Sequence, residues 1–232
     1  MDMVECLMKI GFTKHEAVLY LTLCKKGELT GYEASKISGI PRSNTYLALA
    51  GLVEKGGAYK IDGDPVNYAA VMPSELTANT RRQINEIIGY IEANVPVNTE
   101  ENHPFITIAG KTHILNKLKN VIDQAGQRIY LSMTPEELEN IKAELTCAVE
   151  RGLKVVIITS PGFVLDGAVI YFNDKKPGQI RLIADTSHVI TGEISGENKS
   201  TCLYSRNKNL VELIKDSLTN EIKLIDITRS ST

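Results

Sequence analysis

Apolar residues recur at helical spacing three times within the first 55 positions, and each recurrence is punctuated by start and stop signals. Thr13 with Glu16 three residues later forms a capping box. The helix behind it carries Ala17, Val18, Tyr20, Leu21 and Cys24 and stops near Gly27. Thr30 and Glu33 make a second capping box, opening a short helix that is predicted to bury Ala34 and Ile37 and to end at Ser38-Gly39. Pro41 suits the first position of a third helix, predicted over 41–55. Its inward face is read as Thr45, Tyr46, Leu49, Leu52 and Val53, its outward face as Arg42, Ser43, Asn44, Leu47, Ala48 and Gly51. Two short strand-like runs, 58–61 and 67–71, then flank Asp62-Gly63-Asp64-Pro65, a hairpin signal.

The pattern changes after Met72. Ser74 is read as the cap of a helix carrying Leu76, Ile84, Ile87, Ile88, Ile91 and Val95. Positions 84, 88, 91 and 95 step by four and three, the spacing of a coiled-coil seam. A polar stretch bounded by Pro96 and Pro104 reads as a linker. From Phe105 onward β-rich runs alternate with amphipathic helices, which predicts an α/β domain. Strands are expected at 105–109, 128–133, 153–159, 168–172, 180–184, 188–194 and 201–204, and helices at 111–125, 134–151 and 207–221. The apolar run 153–159 is expected to be central and parallel. Thr134 with Glu137 reads as a third capping box. The expected fold class is therefore two-domain, α+β and α/β: a winged helix at 1–72, a dimerisation helix at 73–95, a linker at 96–104, and an α/β domain at 105–232.

Composition narrows the function. The 232 residues are 43% hydrophobic and 23% charged, ordinary for a globular protein with a sizeable core. No run approaches the 18 or so apolar residues of a membrane span, and the acidic start does not read as a signal peptide, so a cytoplasmic protein is expected. Cys6, Cys24, Cys147 and Cys202 are scattered, which argues against zinc and disulfides; no cofactor or metal is expected. The net charge of −2 counts against indiscriminate polyanion binding but permits a basic docking face.

Helix, short helix, turn, helix and hairpin is the order of a winged helix. Such a module binds double-stranded DNA or serves as a protein-interaction scaffold. In the DNA reading the third helix enters the major groove with its N-terminal residues toward base edges. Arg42 is suited to guanine or phosphate, Asn44 to adenine, and Ser43 to either, with Thr30 at the preceding cap and Lys60 on the hairpin beside the backbone. The seam Ile84, Ile88, Ile91 and Val95 would pair two copies, so that two helices read a palindrome.

The segment from Thr30 to Gly56, with Gly39-Ile40-Pro41-Arg42-Ser43, then Tyr46, then Leu49-x-x-Leu52 and Glu54-Lys55-Gly56, resembles the recognition segment of the TrmB-like transcriptional regulators. Leu7 to Thr13 and Tyr68-x-x-Val71-x-Pro73 fit the same pattern. The resemblance implies a dimeric DNA-binding regulator, with sugars as an effector class. The turn Gly63-Asp64-Pro65-Val66-Asn67-Tyr68 departs from the pattern, carrying an acid where family members often carry a base, so the wing is expected to contribute less.

The element order from 105 onward resembles half of a phospholipase D-like fold. Hydrolysis there needs a His nucleophile with a Lys two residues later. Here His188 is followed by Ile190, which leaves phosphoryl transfer without its cation and predicts a non-catalytic domain. A phosphodiesterase fused to a helix-turn-helix is the alternative. If the domain senses a ligand, the strand ends point to Ser132, Thr134, Thr159, Ser160 and Asp185 as the binding residues.

Overall fold

The computed structural model describes residues 2–96, 105–196 and 199–230, with side chains to 228. The expected linker falls almost wholly on 97–104, outside the described residues. The chain divides into two units, Met1–Val97 and Asn98–Thr232.

In the N-terminal unit both expected capping boxes form. Thr13 caps α2 (Lys14–Lys26) and Thr30 caps α3 (Gly31–Ser38), each with the reciprocal glutamate. An unexpected helix, α1 (Met3–Lys9), precedes them and buries Leu7. A two-residue strand, β1 (Leu29–Thr30), follows α2, and α3 ends at Gly39 in the left-handed region. Next come α4 (Arg42–Glu54), β2 (Ala58–Ile61) and β3 (Asn67–Ala70). The hairpin closes between Ile61 and Asn67 through a five-residue loop rather than a tight Asp-Gly turn, and β3 also pairs with β1, giving a small sheet of order β1-β3-β2.

The core of this unit is α2 against α4. Leu19, Leu23, Leu49 and Leu52 are almost fully buried, each contributing about 1.5–3 kcal/mol of transfer free energy. On α4 the buried residues are Thr45, Ala48, Leu49 and Leu52, so the inward stripe is centred one position away from the expected one. Tyr46, expected inside, is half exposed, as is Ile37 on α3, and Cys24 is exposed. Ala48, expected outside, is inside because it steps by three from Thr45 and by four to Leu52.

A buried carboxylate fixes this packing. Glu16 accepts the Thr13 N–H at 2.7 Å and the Lys55 ammonium at 2.7 Å, and Lys55 also donates to the Gly11 carbonyl at 2.9 Å. Gly51 makes the approach possible, since a Cβ there would lie 2.3 Å from the Glu16 carboxylate. Burial alone would raise the pKa of Glu16, but Lys55 and Thr13 outweigh it and hold it below the ordinary 4.5. α5 (Pro73–Asn94) starts with Pro73 in its first turn and Met72 at the cap, in place of Ser74, because proline has no N–H to leave unsatisfied there.

The C-terminal unit is a seven-stranded sheet of order β4-β10-β9-β8-β5-β6-β7. The strands are β4 (Ile106–Ala109), β5 (Arg128–Ser132), β6 (Lys154–Thr159), β7 (Val169–Phe172), β8 (Gln179–Ala184), β9 (His188–Glu193) and β10 (Thr201–Ser205). β5, β6 and β7 are parallel and the remaining pairs antiparallel. β6 is parallel as expected but lies next to the edge, while β8 holds the centre. One face is packed by α6 (Lys111–Gln124) and by α7 (Pro135–Glu139) and α8 (Lys142–Glu150). α7 and α8 replace the single helix expected over 134–151, because the chain breaks at Asn140 and Ile141. The third capping box does not form: Thr134 makes no side-chain cap bond. The other face is covered by α9 (Lys208–Ser230), longer than expected, whose Val211, Leu218 and Ile225 seat on Ile158, Ile183 and Val189.

Because the folded-state pKa of Glu16 is depressed, its stabilisation is complete above its unfolded value and is lost as pH falls through the folded one. Glu16→Gln should lower stability by about 1–2 kcal/mol near pH 6, and the gap to wild type should close toward pH 3. Thermal denaturation across that range tests this; a gap that does not change with pH refutes it.

Candidate nucleic-acid interface

The turn between α3 and α4 is locked by its own short side chains. Ser35 donates to the Ile40 carbonyl at 2.7 Å, and the fully buried Thr45 donates to the Ile40 and Pro41 carbonyls at 3.1 and 3.2 Å. These bonds set where α4 begins. Its N-cap is Pro41, which offers no side-chain acceptor, so the first-turn N–H groups of α4 stay open, unlike those of α2 and α3.

Arg42, Ser43 and Asn44 all face solvent in that first turn. The Arg42 guanidinium lies over the Tyr32 ring, 4.3 Å from its centroid, a stack that orders the charge at the surface. The structure adds two residues to the face, Tyr32 and Tyr46, which are half exposed; Leu47, expected there, is 73% exposed. Tyr46 is seated on the backbone of Gly31, where a Cβ would lie 2.4 Å from its ring. The sequence held the signal for Tyr46: it follows Arg42 by four, as Leu47 follows Ser43, so a helix that exposes one pair exposes the other. Two expected contacts are already engaged. The Thr30 hydroxyl is taken up in its capping box with Glu33, at 2.8 and 3.2 Å. Lys60 lies 3.3 Å from Asp62 on the hairpin, which offsets the wing's charge.

On α5 the positions Ile84, Ile88, Ile91 and Val95 are 44–55% exposed, and Ile87 and Tyr90 beside them are exposed as well. Leu76 is the buried residue of this helix. The stripe therefore finds no cover within its own unit.

The register of the C-terminal sheet divides the five residues expected to share a ligand pocket. Ser132, Thr134, Thr159 and Ser160 lie at or just beyond the carboxyl ends of β5 and β6. Asp185 follows β8, which runs antiparallel to β5 with Ser132 opposite Arg181, so Asp185 sits at the other end of β5. There its carboxylate accepts the N–H groups of Gly126, Gln127 and Arg128 at 2.7, 2.8 and 3.0 Å. Ser132 accepts from Arg181 at 3.1 Å and Ser160 from the Lys175 N–H at 3.0 Å. Arg181 and Lys175 both bind Glu221 of α9, which also accepts from Asn173. The hydroxyls of Thr134 and Thr159 are buried and have no hydrogen-bond partner among the described residues. His188 is half buried with Nδ1 2.8 Å from the Tyr204 hydroxyl, and Ile190 is fully buried in the core. Among the described residues no cluster of His, Cys, Asp and Glu fit for a metal occurs, and no helix is long and apolar enough to cross a membrane.

Comparison with known families gives two matches. Residues 7–74 match the family described as sugar-specific transcriptional regulator TrmB, and residues 105–221 match the model for transcriptional regulator TrmB, EBD N-terminal subdomain. The chain belongs to the TrmB family of transcriptional regulators. It is 31% identical to YrhO of Bacillus subtilis over 98% of this chain and 87% of that one. It is 29% identical over 70% of its length to the HTH-type sugar sensing transcriptional regulator TrmBL1 of Pyrococcus furiosus, of which the match spans 48%. Its fold is similar to that of TrmBL2, described as an archaeal chromatin protein with a novel mode of DNA binding, at a TM-score of 0.50 and 20% identity, covering 95% of this chain and 97% of that one. As a TrmB-family member the protein is a transcriptional regulator.

Gly31→Ala should drive Tyr46 off its seat and lower stability by about 1–3 kcal/mol. In a double-mutant cycle with Tyr46→Ala most of that loss should disappear; additive effects in chemical denaturation would show that the ring does not depend on Gly31.

Proposed function

We propose that the protein is a homodimeric cytoplasmic regulator that inserts α4 in the major groove of a palindromic operator and whose C-terminal unit senses a small effector. The observation that carries this reading is the uncapped first turn of α4, with Arg42, Ser43 and Asn44 exposed on it and making no side-chain hydrogen bond among the described residues. Open backbone N–H groups at a helix N-terminus suit phosphate. Arg42 matches the acceptor pair of guanine and Asn44 the donor and acceptor of adenine, while Leu47 can meet a thymine methyl. The wing plays a small part, because Lys60 is shared with Asp62. Residues 1–97 carry ten Lys and Arg against eleven Asp and Glu, a net of −1, so affinity depends on two copies binding together. The unpartnered seam of α5 supplies the contact, and a two-fold dimer sets its recognition helices about one DNA turn, roughly 34 Å, apart.

The family's description and the sugar-sensing relative support a sugar as effector. The C-terminal unit is read as non-catalytic. Its candidate nucleophile His188 is engaged with Tyr204, and Ile190 in the core leaves no cation where hydrolysis needs one.

Binding to the DNA upstream of its own coding region, measured at several salt concentrations, should weaken steeply as salt rises. Arg42→Ala should cost about 1–3 kcal/mol and relax preference at one base pair per half-site. Salt-independent binding, or an Arg42→Ala variant with unchanged affinity, overturns the assignment. Ile88→Glu should convert the dimer to a monomer in sedimentation, with operator affinity falling along with it; a variant that remains dimeric removes α5 from the interface.

A further inference from the structure

Between α9 and the sheet lies a recess of about 100 Å³ lined by Arg128, Tyr130, Ile183, Thr186, Lys215, Leu218 and Thr219. It opens beside the carboxyl end of β8, which is the amino end of the parallel strands β5 and β6. Its floor is apolar and its rim is cationic. Arg128 and Lys154 are register partners on neighbouring parallel strands, and both rise from the α9 face of the sheet. Like charges facing each other across strands destabilise a sheet. Lys154 lies 5.9 Å from the centroid of the Tyr130 ring, and Lys215 enters from α9. Among the described residues no carboxylate pairs with Arg128 or Lys154, whereas Lys215 is met by the exposed Glu212 at 3.2 Å. Asp185, the other acid beside the recess, turns its carboxylate to the N–H groups of 126–128. The hydroxyls of Tyr130, Thr186 and Thr219 make no hydrogen bond among the described residues.

The loop that completes the rim is strained. Asp185 and Thr186 have φ values of 51° and 55°, the left-handed region that non-glycine residues avoid. Three backbone N–H bonds to Asp185 hold that conformation and tie Thr186 to Arg128 across the recess. Backbone strain kept by surrounding bonds is characteristic of binding sites.

We propose that this recess binds the phosphate group of a small phosphomonoester. Arg128, Lys154 and Lys215 supply the charge, Thr186 and Thr219 donate hydroxyls, and Asp185 is a positioning residue that does not touch the ligand. The recess has room for about three waters, which fits one phosphate rather than a tracked nucleic-acid backbone. The inference rests on the reading that the C-terminal unit senses a small ligand.

Calorimetric titration of the full chain with inorganic phosphate, glucose 6-phosphate and glucose tests it. Both phosphate-bearing probes should bind and glucose should not compete with them. The double variant Arg128→Gln, Lys154→Gln should bind them at least tenfold more weakly with an unchanged circular dichroism spectrum. Absence of binding by either phosphate probe, or equal binding by the variant, overturns the proposal. A variant that loses operator affinity while keeping phosphomonoester binding also overturns it, assigning the cations to DNA. Operator affinity measured with each probe separates this site from the sensing reading. If glucose shifts DNA binding and neither phosphate probe binds, sensing stands and the phosphate site falls. If glucose 6-phosphate binds and neither it nor glucose shifts DNA binding, the site stands and sensing falls.

Discussion

One buried carboxylate sets the geometry on which the N-terminal unit depends. Glu16 joins the start of α2, the turn before it and, through Lys55, the residue that caps the end of α4. A charge removed from water this far costs several kcal/mol unless it is paired, and the pairing here is satisfied only when α2 and α4 cross at Gly51. The crossing then settles which stripe of α4 is buried, and the opposite stripe, from Arg42 to Leu47, is delivered to solvent. The exposure of the recognition residues thus goes with the pairing of a glutamate at the start of α2 and a lysine at the end of α4.

Asp185 has the same role in the C-terminal unit. It is a carboxylate at the end of a strand, turned onto three backbone N–H groups of another connection. Burial alone would raise its pKa, but those donors, together with His188 nearby, outweigh the burial and hold it low. In both units the acid is structural, while Arg42 in one and Arg128 in the other have no ionic partner among the described residues. Lys60, Lys55, Lys175 and Arg181, by contrast, are held by acids. Net charge therefore says little about binding in this protein, since some of its basic groups are held by carboxylates and others, Arg42 and Arg128 with them, have no ionic partner among the described residues.

Much was legible in the chain. The capping boxes at Thr13 and Thr30, the stop at Gly39 and the start after Pro41 depend on residues within four positions of one another, so the sequence contains all the participants. The same locality made the seam of α5 readable. The error on α4 had a definite cause. A tyrosine drew the inward stripe toward position 46, although Ala48 completes the three-and-four spacing with Thr45 and Leu52. The capping box assigned to Thr134 does not form: the Thr134 hydroxyl is buried and makes no cap bond, although the Thr-x-x-Glu spacing is present.

The sequence by itself determined the elements, their order and the identity of the exposed first turn of α4, because short-range hydrogen bonds and helical periodicity decide those. Only the tertiary structure decided that β8 rather than β6 lies at the centre of the sheet, that Asp185 sits at the far end of β5 from Ser132, and that Arg128 and Lys215 line one recess with Lys154 beside Arg128 on the next strand. Strand order and register arise from pairings between residues dozens of positions apart, and no local pattern encodes which of several apolar strands will be neighbours.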